Sequence, residues 1–147
     1  MPTRTLSTAF AVVAGVLAIC SACTITRDVQ LYPDNDPARA LGPLNGSIVG
    51  HGNLNGAMTL TMPNGEILNG RYSIGAGGGV GFGSLYSSVY GATTSSSMSM
   101  SGSGEGMADA VGPHGTTAHC EFMNNNFNGH GHGACRISDG AIYRMQY

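Results

Sequence analysis

The feature that most restricts this chain is a two-residue rhythm that runs into an asparagine–glycine pair. Met58, Leu60 and Met62 alternate with Ala57, Thr59 and Thr61. Successive strand side chains point to opposite faces, so this rhythm describes a strand with one buried face. Pro63-Asn64-Gly65 follows, and then Glu66-Ile67-Leu68-Asn69-Gly70-Arg71-Tyr72. Asn and Gly both tolerate the positive φ that tight hairpin turns demand, so the stretch from Ser47 to Ile74 is expected to hold a hairpin. Strand-like runs return at Thr117–Met123, Gly133–Ile137 and Ala141–Tyr147, the last two separated by Ser138-Asp139-Gly140. No segment beyond the first 23 residues shows a capped 3.6-residue period. The expected fold is therefore all-β: a small antiparallel barrel or sandwich built from hairpins, occupying residues 45–147, after an N-terminal signal helix. With no Trp, six Tyr and four Phe, its core has to come from small and medium side chains.

The two clearest hairpins align at an offset of 75 positions, with Gly65 on Gly140, Gly56 on Gly131, Ile67 on Ile142 and Tyr72 on Tyr147. Each follows one plan of Gly, an alternating strand, Asn or Asp before Gly, and a strand ending in Tyr. The first copy, with Gly56, Thr59-Leu60, Pro63-Asn64-Gly65, Gly70 and Tyr72, resembles the MORN repeat. The second, with Gly131, Gly133, Asp139-Gly140, Tyr143 and Tyr147, lacks the Thr-Leu and Pro of that motif. The resemblance implies β-hairpins and no solenoid, because the copies are not in tandem. Between the two lies a segment of different character. Of residues 75–106, a Gly/Ser-rich insertion, ten are Gly and nine are Ser; the first part, with Val80, Phe82, Leu85, Tyr86, Val89 and Tyr90 among small residues, is open to strand pairing, and the second reads as a flexible linker or a mobile hairpin end.

The first 23 residues carry an address. Arg4 precedes Leu6 to Ile19, an apolar run without a charge that closes on Cys20-Ser21-Ala22-Cys23. The run is shorter than the roughly 18–20 residues that span a bilayer and fits the apolar region of an export signal. Ser21-Ala22-Cys23 resembles the lipobox of bacterial lipoproteins, although Cys20 stands where that motif usually has Leu. The resemblance implies a signal peptide over residues 1–22 and lipidation of Cys23. It also implies a place at the periplasmic face of the outer membrane, because Thr24 rather than Asp follows the cysteine. A soluble exported protein is the competing reading. Residues 23–44, with Arg27, Asp28, Asp34, Asp36 and Arg39, read as a tether between lipid and domain, within which Val29-Gln30-Leu31-Tyr32 is a candidate short strand halted by Pro33 and a polar turn through Asp36-Pro37. The whole chain is similar to small proteobacterial lipoproteins that end in a Cys-containing hairpin, and that likeness implies no activity.

Export puts the remaining thiols, Cys120 and Cys135, in an oxidising compartment, where an even pair is expected as a disulfide. Strands on either side of a loop centred near Phe127 would bring the two opposite each other. His119, His130 and His132 form the alternative: a C-terminal histidine cluster that would hold Zn or Cu in a periplasmic metal-binding protein. No nucleophile–base–orienter spacing, zinc-protease motif or phosphate-binding lysine loop occurs, so neither an enzyme nor a cofactor is expected. Six Arg, no Lys and a net charge of -2 exclude a basic nucleic-acid binder. The expected function is that of a non-enzymatic structural or binding module of the bacterial envelope. Its expected partners are the membrane, through the lipid, and another envelope protein or the cell wall.

Overall fold

A computed structural model describes residues 24–51, 54–75, 103–125 and 127–147. Eight strands and one short helix account for most of them: β1 (Thr24–Pro33), α1 (Asp36–Leu41), β2 (Leu44–His51), β3 (Asn55–Thr61), β4 (Ile67–Ile74), β5 (Ser103–Val111), β6 (Thr117–Asn125), β7 (Gly131–Ile137) and β8 (Ile142–Gln146). Each strand pairs antiparallel with the next, and β8 pairs back onto β1 through Gln30–Pro33, closing a barrel in sequence order. The all-β expectation holds, and of its two forms the chain takes the barrel.

Alternation along every strand separates the two faces of the wall. Val29, Leu31, Leu44, Met58, Leu60, Leu68, Phe122, Tyr143 and Met145 are buried inside. Asp28, Gln30, Asn69, Arg71, Asp109 and Arg144 stand exposed outside. An eight-stranded barrel has an interior just wide enough for side chains to fill. This one is filled by pairing large residues with glycine across neighbouring strands. Tyr72 is the register partner of Gly56, Leu60 of Gly46, and Phe122 of both Gly106 and Gly133. A methyl group at Gly106 or Gly56 would run into the Phe122 or Tyr72 ring. Gly104 and Gly106, expected to belong to the Gly/Ser-rich insertion, are thus wall residues of β5; residues 76–102 of that insertion lie outside the described residues.

One end of the barrel is closed by three turns of one design. In the β3–β4 turn the Met62 N–H donates to the Glu66 carbonyl (2.8 Å) and the Gly65 N–H to the Met62 carbonyl (2.9 Å). Gly112-Pro113-His114-Gly115-Thr116, joining β5 to β6, and Ile137-Ser138-Asp139-Gly140-Ala141, joining β7 to β8, repeat both bonds. The three glycines share φ of 84°, 86° and 88°, a region closed to most L-residues. The fourth connection at this end is α1. Asn35 caps it, its Oδ1 accepting from the Ala38 N–H (3.1 Å). The same side chain accepts from the Ile142 N–H (3.0 Å) and donates to the Gly140 carbonyl (2.9 Å), tying the helix to the β7–β8 turn. Ala38 is buried and Leu41 packs against the core.

The expectation of a tether over residues 23–44 is corrected here. Thr24–Pro33 is a full strand with eight register partners on β2, and α1 covers the barrel end. The candidate short strand at Val29–Tyr32 is part of this longer one, whose extent charge concealed: Asp28 lies on the water-facing side, while Val29 and Leu31 on the other side are wholly buried. Residues 24–44 accordingly belong to the barrel domain, which was expected to begin at 45. Cys23, the signal segment and their expected roles lie outside the described residues.

Candidate functional site

Among the described residues, the opposite end is a rim that gathers the start of β1, Leu54 before β3, the end of β4, the start of β5, Asn125 and residues 127–130 between β6 and β7, and Tyr147. Just inside it, Phe122 meets Tyr72 and Tyr147 edge-on, with ring centroids 6.4 Å and 5.7 Å away. Above them lies a cavity of about 30 Å³ bordered by Ile25, Arg27, Ile48, Ile74, Asn124 and Gly129, room for about one water molecule. Arg27 reaches inward from β1 and makes no ion pair among the described residues. Its guanidinium occupies the space beside Gly129, where a Cβ would collide with it. Burial pushes the Tyr147 hydroxyl well above the ordinary phenol range and neighbouring Tyr72 adds to the rise, against the opposing charge of Arg27.

The β6–β7 connection at this rim is tightly held. The Asn125 carbonyl accepts from the Gly129 N–H (2.7 Å), and Asn125 Oδ1 accepts from the Phe127 N–H (2.9 Å). Asn128 Oδ1 accepts from the His130 N–H (2.9 Å). Phe127 projects from this turn and is 88% exposed.

Cys120 and Cys135 are joined as a disulfide inside the barrel, directly opposite each other on β6 and β7 with Cα atoms 4.0 Å apart. Both are fully buried. Cross-linking residues 15 apart stabilises the fold by about 3 kcal/mol in the chain-entropy model.

The three histidines proposed as metal ligands do not converge. His119 faces Arg136 in the β6–β7 register, whereas His132 faces Met123. Four strand positions separate these pairs, about 13 Å at the usual rise. Nor do His130 and His132 share a strand face. His130 lies in the turn before β7, with its Nδ1 3.2 Å from the Tyr147 carbonyl, while His132 is exposed on the strand. Among the described residues no group of three or more His, Cys, Asp or Glu is arranged to hold a metal.

His119 instead belongs to a polar cluster on the outer wall that the sequence reading did not assemble. Its Nδ1 is 2.6 Å from Asp109 on β5 and its Nε2 3.3 Å from Glu121 two residues along its own strand. Partial burial works against the charged imidazolium, but the hydrogen bonds to Asp109 and Glu121 outweigh it and raise the pKa above the ordinary histidine value. A ring whose two nitrogens address two different carboxylates is placed to donate twice, which describes an ion-pair staple across β5 and β6. A comparable role at the closed end falls to Glu66. It accepts from the Thr116 hydroxyl (2.7 Å) and the His114 N–H (2.9 Å), and these bonds, Thr116 first, hold its carboxyl below the usual range against the cost of burial.

The geometry defines an up-and-down antiparallel barrel with an apolar interior and a charged exterior. A membrane-spanning barrel has the reverse polarity, with lipid-facing apolar residues. Exposed Arg71 and Arg144 would each cost about 2–4 kcal/mol at a bilayer midplane. Among the described residues, no helix is long and apolar enough to cross a membrane. No protein family, curated protein or solved structure matches the chain.

Proposed function

We propose that this protein is a lipid-anchored, non-enzymatic module of the bacterial envelope, held at the periplasmic face of the outer membrane by a lipidated Cys23. The observation that carries the proposal is the charge-free run from Leu6 to Ile19 ending in Ser21-Ala22-Cys23, with Thr24, the very next residue, already in the barrel wall. Two architectural facts support it. A barrel with a charged outer wall does not insert in lipid by itself, so it needs an anchor to stay at a membrane. Its interior is packed with side chains and a disulfide, which leaves the outer wall, turns and rim as the surfaces that meet partners. The MORN-like hairpins belong to this reading as building units of the wall. Another envelope protein or the cell wall is the proposed partner.

Metabolic labelling with palmitate, comparing the wild type with Cys23→Ser, tests the anchor. Label is expected on the wild type and absent from the variant. Label that persists in Cys23→Ser, or a soluble mature form starting elsewhere, overturns the proposal.

A further inference from the structure

We infer that the rim is a membrane-docking surface, and that the barrel stands rim-down on the bilayer with Phe127 in the lipid interface. The inference rests on the lipoprotein reading of Cys23 and adds an orientation to it. Three observations converge on the rim. The first is chain length: Thr24 is the first residue of β1, so the Cα of Cys23 lies about 3.8 Å from the rim strand. With no spacer, acyl chains on Cys23 hold this end of the barrel against the headgroups. The second is surface chemistry. Of the seven exposed large apolar residues described, Ile25, Leu54 and Phe127 stand at the rim, each from a different segment; Tyr32, Ile67, Met107 and Val111 are spread over the wall and the closed end, and Phe127, at 88%, is far the most exposed. Phe127 is carried by a turn that Asn125 locks with a backbone and a side-chain hydrogen bond, so the ring is presented rather than loosely displayed.

The third observation is charge. The closed end and its turns carry Asp34, Asp36, Asp139 and the buried Glu66 against Arg39, paired with Asp36, and Arg144, paired with Asp34, a net negative set that an anionic lipid surface would repel. Near the rim the described carboxylate is Glu105, on the third residue of β5, and Arg27 stands just inside the mouth. Asn125 and Asn128, both exposed beside Phe127, add neutral polar groups suited to the headgroup layer. An exposed apolar set among neutral polar groups, with one cation balancing one carboxylate, is the chemistry of an interfacial contact.

The chain contains no Trp, which makes a single introduced indole a clean reporter. Lipidated, full-length mature protein carrying Phe127→Trp is reconstituted in vesicles of phosphatidylethanolamine and phosphatidylglycerol. Val111→Trp, at a residue 56% exposed at the opposite end, serves as the reference. For Phe127→Trp, emission is expected to move to shorter wavelength and to be roughly halved by lipids brominated near the headgroup, the depth reached by interfacial side chains. Val111→Trp is expected to show neither change. Palmitate label present with Phe127→Trp unquenched overturns the docking inference and leaves the anchor intact. A shift to shorter wavelength without bromine quenching also overturns it, because the rim is then covered by residues 76–102 or by a second copy. Absence of palmitate label overturns both readings.

Discussion

His119 shows how much a single residue's role depends on its neighbours. Its ring lies between Asp109 and Glu121, and its pKa is raised in the folded state. A base whose folded pKa exceeds its unfolded one stabilises the fold fully below the unfolded value, about 6.5. That contribution disappears as pH rises through the higher, folded value. Wild type is therefore expected to lose more stability than His119→Gln between about pH 6 and about pH 9. Urea unfolding midpoints across that range check this; parallel pH profiles for the two proteins would rule out the staple. Half of the cluster was legible in sequence. Glu121 stands two residues from His119 and so shares its strand face, but Asp109 arrives through the β5–β6 register, which no local pattern encodes.

At the scale of elements, the turns were more legible than the helix. Asn64-Gly65 and Asp139-Gly140 announce their hairpins, and Pro113-His114-Gly115 follows the same design at a spacing of 50 from the first. That third copy was the available signal for β5 and β6 as a hairpin, and it was missed because His replaces Asn or Asp before the glycine. Helix α1 is only six residues long, too short for periodicity to reveal, and it is stable because Asn35 ties it to the β7–β8 turn. Asn35→Ala removes the helix cap together with two bonds to Gly140 and Ile142, and is expected to cost about 1–2 kcal/mol. Asn35→Asp keeps both acceptor bonds and is expected to cost less. The urea midpoint should fall in that order with an unchanged slope; an Ala variant as stable as the wild type would show that the cap contributes nothing.

Closure is the property of the whole molecule on which the rest depends. β1 pairs with both β2 and β8, so without it two strand edges are left open to water and to other chains. A mature chain starting at residue 44 is expected to lose cooperative unfolding in urea, followed by far-UV circular dichroism. If residues 24–43 were merely a tether, the truncated barrel would unfold at the wild-type midpoint. The disulfide links β6 to β7, which the closed wall holds next to each other in any case; it strengthens a seam and does not create the closure.

From sequence alone came the all-β class, the hairpin turns and the Cys120–Cys135 pairing, because each depends on residues close in the chain: a period of two, a glycine after Asn or Asp, two cysteines flanking one loop. A short strand at Val29–Tyr32 was legible, but only the tertiary structure decided that it extends through Thr24–Pro33 and belongs to the wall, since the charged neighbours of Val29 and Leu31 hide that until β2 and β8 lie beside it. It also separated His119 from His130 and His132, because register sets distance along a strand regardless of how closely residues crowd in sequence. The glycines are the plainest case. Their number reads as flexibility in one dimension, yet Gly106 and Gly133 flank Phe122 in the wall, where the missing side chains are the space the ring fills.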